Sequence, residues 1–165
     1  MGDEYLLTGG KEHMIEFTPN TWIYSWSTGN WTPLTDQDQT PHRTLANHCL
    51  KVTLNDRDYV VIPAGTVPDP EIGFGAITGA TSVFDVQERV WLDNADDLPV
   101  PMKQIGTVLV NGEMYTLGGR LDNGDPSDKV FKLVESGGRF AWEEQTFRLP
   151  VPTQSITGFV HNTVE

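Results

Sequence analysis

Cysteine is almost missing: Cys49 stands alone among 165 residues. One thiol excludes a disulfide framework and a multi-thiolate metal cluster, and it fits a reducing, cytoplasmic setting. Basic residues are scarce too, 11 Lys and Arg against 23 Asp and Glu, for a net charge of −12. A phosphate backbone repels so acidic a chain, which argues against nucleic acid as a partner. The acid excess reads as solubility, with basic partners as the alternative. No apolar run approaches the about 18 residues of a membrane helix. The start, "MGDEYLLTGG", has neither the basic nor the apolar region of a signal peptide. Its sixth residue, Leu6, breaks the myristoylation pattern. There is also no sustained 3.6-residue apolar period, so essentially no helix is expected.

Catalytic and metal-binding patterns are thin as well. No nucleophile elbow, phosphate loop or paired-cysteine motif occurs. His13, His42, His48 and His161 lack metal-ligand spacing, so no metal is expected. "RLDNGDPSD" (Arg120–Asp128) clusters acids without the order of an EF-hand and reads as a solvated turn. "GFGAITGA" (Gly73–Ala80) is glycine-rich, but no helix follows to cradle a phosphate, so it reads as a loop. Asn30-Trp31-Thr32 is a glycosylation sequon that matters only in a secreted protein.

What the chain does have is a repeat. Hydrophobic residues make up 38% and aromatics 10%, enough for the core of one domain, and 16 Gly with 11 Pro promise many turns. "YLLTGG" closes on Gly9 and Gly10, "VVIPAG" on Ala64 and Gly65, and "MYTLGG" on Gly118 and Gly119. The doublets lie 55 and 54 residues apart. Each ends a β-favouring run with residues small enough to turn where a Cβ would clash. An aromatic follows in the next apolar segment: Tyr24, Phe84 and Phe131. Then comes a tryptophan: Trp31, Trp91 and Trp142. The first two spacings are seven residues and the third is eleven, with "ESGG" read as a turn insertion. A proline follows, in "QTPHR", "DLPVP" and "RLPVP".

Each period holds four short strands. Inner strands are expected at Ala46–Thr53, Ile105–Val110 and Ile156–His161. Doublet strands are expected at Tyr5–Thr8, Asp58–Ile62 and Glu113–Leu117. Aromatic strands fall at Trp22–Trp26, Thr81–Val86 and Lys129–Val134, and tryptophan strands near Asn30–Thr32, Arg89–Leu92 and Phe140–Glu143. Asn111-Gly112 and Asn55-Asp56 read as hairpin turns. Four antiparallel strands repeated at this period mark a β-propeller blade.

The order of apolar run and doublet, aromatic, spaced tryptophan, proline and inner strand resembles the kelch repeat. The resemblance covers nearly the whole chain, and the middle copy departs from it with Ala64-Gly65. It implies an all-β fold of three four-stranded antiparallel kelch-type blades, a partial β-propeller. Residues 1–165 form one kelch-repeat region, with blade portions 1–45, 46–104 and 105–155 and a final inner strand in 156–165. Propellers close with about 4–8 blades. Three blades leave three readings: a piece of a larger propeller, a half-ring that dimerises into six blades, or an open arc.

Kelch-like rings commonly bind protein or peptide segments on the face carrying the doublet-to-aromatic and tryptophan-to-inner loops, where arginines often meet acidic groups. The resemblance therefore implies a non-catalytic interaction module without a cofactor. The candidate contacts are Arg43, Arg120, Lys103 and Lys11, with Phe74 and His42 beside them. Only Arg43 matches the arginine that often follows the kelch proline. The alternative is a piece of a kelch-like enzyme acting on a sugar, of the galactose oxidase or the sialic acid mutarotase type. The first type needs two tyrosines, two histidines and a tyrosine-linked cysteine, whereas Cys49 is expected as a small buried thiol on an inner strand.

In "NTWIYSWSTGNW" (Asn20–Trp31), the repeat makes Tyr24, Trp31 and Trp26 blade-packing positions. Trp22 has Ser82 and Lys129 as its counterparts and is the aromatic expected to be exposed or to meet a partner.

Overall fold

The computed structural model describes residues 4–9, 11–13, 16–34, 39–42, 48–69, 71 and 75–156. The described residues are strands and turns without a helix. The first blade contains β1 (Glu4–Thr8), a small hairpin of β2 (Lys11–His13) and β3 (Glu16–Phe17), β4 (Thr21–Ser25) and β5 (Asn30–Pro33). Its sheet has the order β1-β4-β5. The second blade contains β6 (Leu50–Leu54), β7 (Arg57–Pro68), β8 (Gly75–Asp85) and β9 (Val90–Leu92). The third contains β10 (Gly106–Val110), β11 (Glu113–Arg120), β12 (Pro126–Ser136) and β13 (Arg139–Glu144). Both are four-stranded antiparallel meanders in sequence order. The expected last inner strand, 156–161, lies outside the described residues apart from Ile156, which is in no strand.

The turns follow from local backbone chemistry. Asn55 and Asp56 (φ 50° and 61°) and Asn111 and Gly112 (φ 53° and 82°) take the left-handed pair that a two-residue hairpin needs to match strand twist. The doublets are β-bulges: the register slips between Pro63 and Gly65 and again between Leu117 and Gly119. Their first residues, Gly9, Ala64 and Gly118, are left-handed at φ 69°, 54° and 56°. Gly65 and Gly119 follow at φ 122° and 125°, a region essentially restricted to glycine. Alanine is accommodated at the first position of the second doublet, whereas a Cβ on Gly118 would come within 2.4 Å of Thr153 O, and the second position calls for glycine. Gly10 lies outside the described residues.

Pairing continues beyond these bulges, which corrects one expectation. Gly75–Ala80 is strand, not loop: Gly65, Thr66, Val67 and Pro68 pair with Thr78, Ile77, Ala76 and Gly75. Glycine and proline looked like loop signals there, but the partner strand crosses the bulge and holds the segment extended.

A second correction concerns the third repeat. Tyr24 sits opposite Trp31 and Phe84 opposite Trp91, but Trp142 sits opposite Leu133, while Phe131 faces Glu144. The first two hairpins close with four-residue turns, in which Gly29 N–H bonds Ser25 O and Arg89 N–H bonds Asp85 O. The third runs two residue pairs further and turns on Gly137 and Gly138 alone. The extra spacing is a longer hairpin, not a turn insertion.

The junctions between blades repeat. The Trp91 indole N–H donates to Thr21 Oγ1 at 3.2 Å, joining blade two to blade one. The Trp142 indole N–H donates to Thr81 Oγ1 at 2.9 Å, joining blade three to blade two. The proline segments cross in matching ways: the N–H groups of Thr40, Leu98 and Leu149 bond the carbonyls of Pro19, Gly79 and Asp128. The main core lies between blades two and three and includes Val52, Val61, Val83, Met102, Ile105, Met114, Phe131, Leu133, Phe140 and Trp142. At the tip of blade two, Asp85 is buried; it accepts from the N–H groups of Gln87 and Glu88 and from Arg57 at 2.6 Å.

Candidate functional site

The two loop sets meet between blades two and three. Lys103 closes the segment running from β9 to β10, and Arg120 ends β11. The two form an antiparallel bridge: Lys103 N–H bonds Arg120 O at 3.1 Å, and Arg120 N–H bonds Lys103 O at 2.7 Å. Residues that exchange both backbone bonds project their side chains to the same side. Both line a cleft of about 340 Å³ with Asp69, Gly75, Ala76, Ile77, Leu121 and Asp122. Gly119 underlies this approach. A Cβ there would come within 2.5 Å of Ile105 Cγ2 and 3.2 Å of Lys103 O.

The charge state of the pair is what sets it apart. The chain has 11 basic residues. Arg43 lies outside the described residues, and Lys11 is placed only by its backbone in β2. Seven of the other nine are ion-paired: Lys51 with Asp58, Arg57 with Asp85, Arg89 with Glu4, Lys129 and Arg148 with Glu144, Lys132 with Glu113, and Arg139 with Asp96. Lys103 and Arg120 are the two described basic side chains outside these pairs. They stand side by side in one cleft of a chain with 23 acids.

The loop that ends the cleft is closed by its own hydrogen bonds. Leu121 N–H bonds Asp125 O, Gly124 N–H bonds Leu121 O, and Asn123 Oδ1 accepts from the Asp125 N–H. This Asx turn orders the acidic cluster. Among the described residues, no three His, Cys, Asp or Glu side chains gather as a metal site.

The remaining candidates are dispersed. His42 is half-buried and accepts a bond from Thr40 Oγ1 at its backbone oxygen, 3.1 Å away. Phe74, like Arg43, lies outside the described residues. Cys49 is exposed just before β6, at the edge of an apolar groove between blades one and two; it is not the buried thiol expected. Trp22, singled out as the aromatic to stand exposed, is less exposed than Trp26 and Trp31, and it lies on the outer face of blade one rather than on the loop face. Asp69 joins the site without having been singled out, and Asp122 comes from the acidic cluster read as a solvated turn. Only the pairing across the bulge brings Asp69 to Arg120.

Trp26 and Trp31 need correction as packing positions. Trp26 is 67% exposed and Trp31 47%, against 7% for Trp142. They pack against Tyr24, with ring centroids 4.9 Å away in each case.

No family model matches the chain. Kelch-like protein 35 from Homo sapiens is 38% identical over 56 residues, 34% of this chain and 9% of that protein. The solved structure of YjhT superposes with a TM-score of 0.66 at 14% identity, over 93% of this chain and 51% of that one. The chain thus spans about half the length of that structure and aligns with a small fraction of the human protein. Bulged doublets, tryptophan junctions and four-stranded meanders define an all-β partial propeller, and these likenesses make its repeat similar to the kelch repeat.

Proposed function

We propose that this protein is a kelch-type interaction module that takes a short polar peptide segment of a partner protein into the Lys103–Arg120 cleft. One observation carries the reading: the two described basic side chains left outside ion pairs are adjacent, and they line the same cleft on the face where the loops converge. A ligand carboxylate would find two donors there, and the Arg120 guanidinium can hold it bidentately. Asp122 offers an acceptor for a donor on the same segment. The strands below fix the backbone of both cations, so binding orders few residues, which lowers its entropic cost. The work is recognition, without bond chemistry.

The test is calorimetric titration with a library of short peptides carrying zero, one or two acidic side chains. Acid-containing peptides should bind, and Lys103→Ala and Arg120→Ala should each weaken the best of them about tenfold or more, the loss of one charge-assisted bond. Equal binding of neutral and acidic peptides, or no effect of either substitution, would overturn the site. Turnover with copper and galactose, or of sialic acid anomers, would overturn the non-catalytic reading.

A further inference from the structure

The cleft that holds Lys103 and Arg120 is not uniformly basic. Asp69, one residue past the end of β7, and Asp122, two residues past Arg120, line it as well. Two formal positive charges therefore share one cleft with two negative ones. They come from three stretches of chain, and the backbone places each. The ladder beyond the second doublet carries β7 to Pro68, next to Asp69. The Lys103–Arg120 bridge sets the cations side by side. The turn after β11 holds Asp122 through bonds made by its neighbours, Leu121 with Asp125 and Gly124 with Leu121. A Cβ on Gly124 would stand 3.5 Å from Arg120 Nη2, so the guanidinium lies over this same turn.

The two acids differ. Asp69 Oδ1 accepts the Glu71 N–H at 2.9 Å, a local turn contact. Asp122 is exposed, and among the described residues its carboxylate makes no ion pair and accepts no hydrogen bond.

Given the cleft as a peptide site, the reading on which this rests, we propose that it selects a partner segment of mixed charge, in which a Lys or Arg stands within two residues of the acid. The acid meets Lys103 and Arg120, and the base meets Asp122. Charge decides between this ligand and a purely acidic one. Once one carboxylate takes both cations, a second finds no further basic side chain among the described residues that line the cleft. It would instead lie against Asp69 and Asp122, in a chain of net charge −12. Like charges set against each other penalise the wrong partner, and a base at that place turns the repulsion into attraction. Because Asp122 is exposed, its ion pair adds little to total affinity and acts chiefly on selection.

Titration calorimetry of the full chain with three peptides tests this. All three share one glutamate, and two residues further on they carry lysine, glutamine or a second glutamate. The lysine peptide should bind about threefold tighter than the glutamine peptide, the range of an exposed ion pair, and the second glutamate should weaken binding below both. Added salt should shrink these differences. Asp122→Asn should bring the lysine and glutamine peptides to the same affinity, and Asp122→Lys should reverse the order of the lysine and diacidic peptides. The Asp122 side chain takes no part in the bonds of its turn, so both variants should keep the far-UV circular dichroism of the wild type. Lysine and glutamine peptides that bind the wild type alike, or a lysine preference that survives Asp122→Asn, would overturn the mixed-charge proposal while the acid-binding cleft stands. Binding of none of the three would overturn the cleft as a peptide site, and the proposal with it.

Discussion

Thr81→Val isolates the bond that joins blade three to blade two. Valine keeps the branched shape of threonine and puts a methyl where the hydroxyl stood. Thr81 is buried, as is Trp142, and their bond is 2.9 Å. The substitution strands the indole N–H where water does not reach, which costs about 1–3 kcal/mol. For a chain of this length each kcal/mol moves Tm by about 2–4 °C, so a central cost of about 2 kcal/mol lowers Tm by about 6 °C. Thr21→Val at the first junction should cost less, about 0.5–1 kcal/mol. Trp91 is only half-buried there, the bond is 3.2 Å, and water can replace it. Urea unfolding followed by circular dichroism measures both. A double-mutant cycle with Trp142→Phe separates the bond from the ring's burial, because phenylalanine has no indole donor to strand. A Thr81→Val cost below about 0.5 kcal/mol, or one smaller than that of Thr21→Val, would refute the idea that the tryptophan–threonine bond holds adjacent blades together.

Two further outcomes follow from the backbone and the charges. Gly119→Ala puts a Cβ 2.5 Å from Ile105 Cγ2 at φ 125° and should cost more than about 3 kcal/mol, whereas Gly112→Ala, with nothing within 4 Å, should cost about 1 kcal/mol; comparable urea midpoints for the two would contradict the bulge argument. Hydrogen bonds from Lys51 and Thr53 hold Asp58 below its ordinary pKa, bonds from Lys132 and Tyr115 do so for Glu113, and a bond from Lys129 does so for Glu144. A depressed folded-state pKa contributes stability that is fully present above about pH 5 and is lost as pH falls through the folded values. The urea midpoint should therefore drop on the acid side of about pH 4, and a midpoint still rising there would show that relief of the −12 charge outweighs these bonds.

Much of the fold could be read from the sequence because it rests on short-range chemistry. The doublets mark positions where the backbone turns left-handed, and Asn111-Gly112 marks a hairpin for the same reason. The site could be read only in part. Lys103 and Arg120 were found by their place in the repeat, but their standing outside the ion pairs among the described residues depends on where the acids fold. Asp69 joined them through a strand that glycine and proline had disguised as loop.

By itself, then, the sequence determined the repeat, the four-strand unit, the turns and, among the described residues, the absence of helix, since each depends on residues within one blade. The tertiary structure decided burial and pairing. Trp31 and Trp142 occupy the same place in the repeat, yet one is half exposed and the other enclosed, because only Trp142 has a blade in front of it. Phe131 and Leu133 changed roles because a longer hairpin, not the count of residues, sets which side chain meets the tryptophan. Burial is a property of neighbours, and for a blade the neighbour is another blade.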